Sequence, residues 1–359
     1  MIISKAAISD GKGGFSIEKI QVSEELQEDE VLVEIKACGV CHTDFDAMKW
    51  GKSILGHEGA GFVLKVGSKV TSVKEGDRVV LNWAIPCGQC FHCIRSEYVV
   101  CESNQKGAHK GNTTVNEHAI GRMFNIGTMA NHTVVKSAAV TKIHVDIPFT
   151  SACLIGCGVM TGYGAVVNVA ELKPGESIAV IGVGGVGLNA IQGARILNAG
   201  KIIAIDINQK NLDLAKKFGA TDLILAKKDD KDLAEATTIV KSLTEGRGAD
   251  YTFECTGVPA LSIIPPLKMV RARGKAFLLS NIEHEISVNF LAFTKDRSYM
   301  RPTYGWLHPE IDFKNILNLY AKGQFFLDEM VTNTYSIDDL HIAFDDMFKG
   351  KNARGVVVF

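Results

Sequence analysis

Four cysteines crowd into fifteen residues: Cys87, Cys90, Cys93 and Cys101, spaced C-x2-C-x2-C-x7-C. Four thiolates on one short loop can wrap a zinc ion tetrahedrally. A four-thiolate site closed in that way is structural, with no position left for substrate. An iron–sulfur cluster is the other four-cysteine possibility, although its usual spacings differ. His92, inside the loop, reads as a solvent-facing residue rather than a ligand. The chain holds nine cysteines, an odd number, and in a reducing compartment such a cluster points to metal rather than to disulfides.

Three segments far apart carry further ligand types. GVCHTD (39–44), GHEGAG (56–61) and GCGVMTGYG (156–164) offer Cys41, His57 and Cys157. Read singly each is weak, because a cysteine is more often a small core residue and a lone histidine more often structural. Taken together, two Cys and one His are the donor set of a zinc site whose fourth position stays open.

A third chemistry is written in SIAVIGVGGVGLNAIQGA, which contains Gly182-x-Gly184-x-x-Gly187. The motif follows a strand-like run and opens a helix-like one, the context in which it cradles a dinucleotide. Gly182 allows the tight turn, Gly184 a close approach of the pyrophosphate and Gly187 close packing of helix on strand. The helix N-terminus then offers its free N–H groups to phosphate. Asp206 stands 19 residues beyond Gly187, at the end of KIIAID, placed to accept hydrogen bonds from a ribose and to repel a 2′-phosphate. That combination favours NAD over NADP.

The elements that must position these residues fall into two styles. Over the first 150 residues short β-type runs, Val31–Ile35, Gly61–Val66, Arg78–Leu81 and His132–Val135, alternate with Gly, Asp and Lys clusters, as in an antiparallel barrel-like unit. From about Gly162 strands and helices alternate. Strands are expected at Ser177–Val183, Lys201–Asp206, Leu223–Leu225, Tyr251–Glu254 and Lys275–Leu279, with helices at Val186–Leu197 and Gln209–Phe218. Such alternation implies βαβ units and a parallel sheet. After about Arg301 come two amphipathic helices, near Phe313–Ala321 and Ile337–Lys349, and a last strand, Gly355–Phe359, which should return to the first domain.

Composition excludes several classes. Of 359 residues 46% are hydrophobic, too many for a disordered chain. Lys and Arg number 39 against 40 Asp and Glu, without the basic excess of a nucleic-acid binder or a polybasic membrane-surface protein. The N-terminal MIISKAAISDGKGG has no secretory h-region, so a cytoplasmic location is expected.

The motifs GVCHTD, GHEGAGFVLKVGSKV, GDRVV, PCGQCFHC, LIGCGVMTGYGA, IGVGGVGLNAI and AIDIN, in this order, resemble those of the zinc-containing alcohol dehydrogenases of the medium-chain dehydrogenase/reductase family. The likeness runs from about residue 5 to the terminal RGVVVF. It implies an α/β protein: a GroES-like β-barrel catalytic domain over 1–158 and 302–359, and a Rossmann cofactor domain, a doubly wound parallel sheet, over 159–301. It implies two zinc ions per subunit, one held by Cys41, His57 and Cys157 and one by Cys87, Cys90, Cys93 and Cys101. By the same matching Asp44 orients the ligand histidine, Glu58 is the glutamate near the metal and Thr43 sits beside the alcohol oxygen. His42 and Arg354 face the cofactor pyrophosphate, and Thr161 and Val186 line the nicotinamide. The implied activity is the reversible oxidation of primary alcohols, aliphatic or aryl, to aldehydes by hydride transfer to NAD. Small alcohols and aldehydes would be its partners, in a homodimer or homotetramer.

Some features depart from the family pattern. Many relatives end a proton relay in a histidine five residues after the first zinc cysteine, and here that position is Asp46. The stretch AMKWGKSIL before GHE is short. Trp83 and Phe124 match pocket positions and would narrow the site toward planar substrates. A glutathione-dependent formaldehyde dehydrogenase shares most of the motifs and is the alternative within the enzymes. A non-catalytic protein that binds NAD and zinc would need the glycine motif but no open zinc site.

Overall fold

The computed structural model describes residues 1–104, 113–230, 232–282 and 285–359. The chain divides into two compact units, Met1–Cys157 with Leu307–Phe359, and Gly158–Trp306.

The first unit is built on two sheets of mostly antiparallel strands. One opens with a hairpin, Ile2–Ser9 against Phe15–Val22, whose turn is tied by the Asp10 carboxylate accepting from the Lys12 and Gly14 amides. The other is organised around Glu30–Gly39, which pairs with Gly59–Val66, His132–Lys136 and Arg354–Val358. Its Val31, Val33 and Ile35 are buried with Val63, Val79, Leu81 and Val135, a contiguous apolar core. One pairing in this sheet breaks the antiparallel expectation: Val331–Tyr335 runs parallel to Arg354–Val358.

The second unit is a six-stranded sheet whose pairings are all parallel. From edge to edge its strands are Asp222–Leu225, Lys201–Asp206, Ser177–Ile181, Ala249–Glu254, Val270–Leu278 and Ser298–Met300. In chain order that is 3-2-1-4-5-6, the doubly wound arrangement of a Rossmann domain, with its switch point between Ser177–Ile181 and Ala249–Glu254. Ile178, Val180, Ile203 and Ile205 are all buried, as strands covered on both faces require.

Gln209–Phe218 forms the helix that the sequence delimits, because Asn208 caps its start by accepting from the Lys210 amide and Gly219, at φ +118°, ends it. Ser177–Ile181 stops two residues before the expected end, since Gly182 turns the chain at φ +83°. The last helix is shorter than expected: Ile337–Asp339 is a 3-10 turn and the α-helix runs Leu340–Phe348. No single helix among the described residues is long and apolar enough to cross a membrane.

Candidate functional site

Strand pairing brings the first three chemical groups to one place. Cys41 begins two residues after Glu30–Gly39, and His57 lies two residues before Gly59–Val66. Those strands pair with Cys38 opposite Gly59, so both side chains leave the same end of the sheet. Cys157 arrives from a tight 3-10 turn, Cys153–Gly156, of the same unit. The Cys41 and Cys157 sulfurs, a His57 nitrogen and a Glu58 carboxylate oxygen all lie within 4.8 Å of one another.

The helix His42–Ala47 starts on Cys41, and its third residue, Asp44, is fully buried. One Asp44 oxygen accepts from the Cys41 amide at 3.0 Å, closing the helix start. The other lies 2.7 Å from His57 Nδ1. Asp44 therefore fixes the imidazole so that Nε2 faces the two sulfurs. That Nε2 is buried and has no hydrogen-bond partner. An orphaned ring nitrogen of that kind is costly unless something accepts its lone pair, and beside two sulfurs and a carboxylate a divalent zinc fits.

The ionisable groups of the cluster act strongly on one another. A hydrogen bond from Cys157 holds the Cys41 thiol well below its ordinary value. Burial penalises charge on His57, yet the Asp44 carboxylate outweighs it and holds the imidazole above its usual range. Burial pushes the Glu58 carboxyl up to about 7, against the pull of Arg354. Arg354, 6% exposed, forms an ion pair with Glu58 and also donates to the Val40 carbonyl at 3.3 Å. It reaches there because Arg354–Val358 pairs with Glu30–Gly39, Val356 opposite Gly39. The guanidinium expected to face a pyrophosphate is thus committed to the near-metal carboxylate.

Other expected residues surround the cluster. Thr43 Oγ1 lies 3.7 Å from the Cys41 sulfur. Asp46 is half-buried on the same short helix, and His42 is exposed with its ring edge-on to Phe348 at 5.5 Å. Phe124 packs its ring against His57, centroids 5.6 Å apart, and Trp83 stacks on Phe124 at 4.8 Å. Trp50, which no sequence motif singles out, meets Phe124 edge-on at 5.9 Å and is 53% exposed. Phe124 holds this place in a left-handed conformation, φ +49°, uncommon for a bulky residue, in a turn that continues through Asn125 at φ +62° and Gly127 at φ +52°.

The second cysteine set is gathered as well. The Cys87, Cys90, Cys93 and Cys101 sulfurs lie within 4.8 Å of one another, with Cys87 and Cys93 4.0 Å apart and Cys90 and Cys101 3.9 Å apart. Zinc–sulfur bonds of about 2.3 Å arranged tetrahedrally place sulfurs roughly 3.8 Å apart. These separations fit that geometry and are far too long for disulfides. All nine cysteines are free thiols. His92 points away, with Nδ1 2.8 Å from Glu97. Cys38 and Cys153 are fully buried, whereas Cys255 is only partly so.

In the second unit the glycine turn has the shape that a dinucleotide needs. A Cβ on Gly187 would strike the Gly182 carbonyl, while one on Gly184 would meet nothing within 4 Å, leaving that face open. The helix Gly185–Ile196 begins there with its free amides, and Val186 sits half-buried in its first turn. Asp206 accepts from the Val183 amide at 2.9 Å and from Asn208 and Asn211. It is half-buried beside the glycine turn. Thr161 is half-buried on the helix Gly158–Gly164.

Residues 27–145 match the model of the alcohol dehydrogenase GroES-like domain, and residues 185–322 that of the zinc-binding dehydrogenases. The chain is 34% identical over 347 residues to an S-(hydroxymethyl)glutathione dehydrogenase of Paracoccus denitrificans, covering 92% of each chain. Its match to the enzyme of that name from Escherichia coli O157:H7 is 35% over 343 residues, 91% of this chain and 92% of the other. Among solved structures it superposes on benzyl alcohol dehydrogenase from Acinetobacter calcoaceticus with a TM-score of 0.90 at 27% identity, covering 100% of both chains. An alcohol dehydrogenase zinc-binding domain protein from Burkholderia ambifaria is similar to the same degree, TM-score 0.90 at 26% identity, over 100% of this chain and 99% of the other.

Proposed function

The chain belongs to the zinc-containing alcohol dehydrogenases of the medium-chain dehydrogenase/reductase family, and from that premise we propose that it oxidises primary alcohols, aromatic ones foremost, with NAD as hydride acceptor. Cys41, His57 and Cys157 would hold one zinc, and Cys87, Cys90, Cys93 and Cys101 the other. When bound, the first metal supplies Lewis-acid polarisation of the alcohol oxygen and the nicotinamide takes up the hydride.

The chain's own residues do the rest. Thr43, beside the Cys41 sulfur, accepts the hydroxyl proton, and Asp46, one turn further along the same helix, is the carboxylate toward which it leaves. Glu58, clamped by Arg354, supplies a carboxylate oxygen within reach of the ligand set. Gly182, Gly184 and Gly187 shape the pyrophosphate turn, and Asp206 takes the adenosine ribose. Thr161 and Val186 border the nicotinamide, while His42 faces the pyrophosphate.

One observation carries the substrate class: the Phe124 ring lies on the metal-ligand candidate His57 and under Trp83, with Trp50 at its edge. Aromatic pairs of this kind are each worth about 0.5–1.5 kcal/mol beyond area burial, so the wall rewards a planar ring on the alcohol. The test is NADH formation from benzylic, linear aliphatic and secondary alcohols and from formaldehyde with glutathione. The highest kcat/KM should fall on the benzylic alcohols. Preference for the glutathione adduct, as the names of the curated relatives suggest, would replace this reading.

Two consequences are measurable at once. Asp44→Asn retains the shape but weakens the acceptor on His57. Zinc affinity at the mixed site, or kcat/KM, should fall by about 10–100-fold, measured by metal titration and steady-state rates. Asp206→Ala removes the ribose acceptor. Losing hydrogen bonds to a charged group, about 1.5–3 kcal/mol, should raise KM for NAD by about 10–100-fold and narrow its advantage over NADP.

A further inference from the structure

The cofactor unit contains a buried carboxylate that the mechanism above leaves unused. Glu254 ends the strand Ala249–Glu254 at 0% exposure, flanked by the equally buried Phe253 and Thr252. An apolar side chain would fill such a position at no electrostatic cost, whereas a buried carboxylate is tolerated only when its oxygens find donors. Glu254 finds three. Oε1 accepts from the Thr256 amide at 2.6 Å and from the Thr256 hydroxyl. Oε2 accepts from the Ser280 hydroxyl at 2.5 Å.

Those donors stand on the loops that leave the carboxyl ends of two adjacent strands, Ala249–Glu254 and Val270–Leu278. A third loop is engaged through Thr256. Its methyl lies where a side chain on Gly182 would have to go, 2.6 Å from that Cβ position. Its hydroxyl also accepts from the Val258 amide at 3.1 Å. The neighbouring backbone is fixed in step: Cys255 N donates to the Ile181 carbonyl and Leu279 N to that of Glu254, both at 2.8 Å. Glu254 is thus the hub of the three loops at the switch point, the place where open parallel sheets bind their ligands.

We infer that Glu254 is a positioning residue for the dinucleotide, holding residues 255–258 and 279–281 against the Gly182 turn so that the crevice is formed before the cofactor arrives. The inference rests on the NAD reading above. Its energetic logic is preorganisation: loops already ordered do not have to be ordered by the ligand, and affinity rises accordingly.

The experiment is the dissociation constant of NADH, by fluorescence titration of the zinc-loaded enzyme, alongside steady-state kinetics and zinc content. Glu254→Ala should bind NADH about 10- to 100-fold more weakly and raise KM for NAD in parallel, with kcat at saturating NAD and two zinc ions per chain retained. Glu254→Gln, which keeps one acceptor oxygen and the shape, should lie within about fivefold of wild type. A folded Glu254→Ala that binds NADH as tightly as wild type overturns the inference, even if its melting temperature falls. If Glu254→Ala does not fold, Thr256→Val and Ser280→Ala each remove a donor from the hub. Weaker NADH binding in either supports the inference, and wild-type binding in both overturns it. Failure of the wild type itself to bind NADH would instead remove the NAD reading on which the hub depends.

Discussion

Cys41→Ser should abolish alcohol oxidation while leaving the fold, one zinc per chain and NADH binding in place. The Cys41 sulfur, whose thiol the hydrogen bond from Cys157 holds well below its ordinary value, stands at the start of the helix that carries Asp44. Replacing it with a hydroxyl removes one of the two sulfur ligands from the mixed cluster and leaves Cys157 and His57 Nε2, too few strong donors to hold the ion firmly. Polarisation of an alcohol oxygen by a metal is worth several kcal/mol. Taking about 4 kcal/mol, at 1.36 kcal/mol per tenfold, kcat/KM should drop by about 10³ or more. Metal analysis beside the rate measurement makes the result interpretable. Retained activity with one zinc lost would place the chemistry elsewhere in the chain.

The second large effect concerns the four-cysteine loop. Among the described residues no α-helix or β-strand lies between Arg78–Leu81 and Thr113–Val115; only two short 3-10 turns do. Phe91 and Ile94 in that lobe are exposed, so little apolar burial holds it together. Its order therefore depends on the common centre of Cys87, Cys90, Cys93 and Cys101. Structural zinc contributes about 10–16 kcal/mol in isolated finger peptides, where the whole fold depends on it. Here only a lobe does, and about 4 kcal/mol is a fair expectation, which for a unit of this size lowers the melting temperature by roughly 10 °C. Cys93→Ala should show that loss in calorimetry, together with new proteolytic cleavage inside 87–101. A variant with wild-type melting and protease resistance would mean that the lobe folds without its metal.

Much of this was legible in the sequence because the signals are local. The four cysteines are neighbours in the chain, and so are the three glycines of the turn; Asn208 and Gly219 mark the two ends of a helix within eleven residues of each other. What the sequence hid was non-local or lacked a polar face. Glu58 and Arg354 are 296 positions apart, and only the register of the C-terminal strand brings them together. The helical run from Phe149 to Val169 gave no period to read, because Leu154, Ile155, Val159, Met160, Ala165 and Val166 are all buried and no face is left wet. It also passes from α-helix into a π-turn at Ala165–Val169, which no simple periodicity anticipates. The placement of Phe124 on His57 depends on a strained backbone turn that its residue type disfavours.

The strand Arg354–Val358 lies inside its sheet, between Glu30–Gly39 and Val331–Tyr335, rather than at the margin. For a chain emerging from the ribosome this sets an order of events. The unit Gly158–Trp306 is continuous and can close its sheet during synthesis, since domains generally fold as units in the order they are made. The strand Glu30–Gly39 is made among the first; His132–Lys136 can pair with its Glu30–Glu34 stretch early, but Ala37–Gly39 on the same edge must stay unpaired until Arg354–Val358 has been translated. Through that interval an apolar edge is open to wrong partners, and Cys41 and His57 stand beside it without the arginine that completes their surroundings. A nascent chain of this protein is thus most exposed to aggregation and to premature metal capture until Arg354–Val358 has been made.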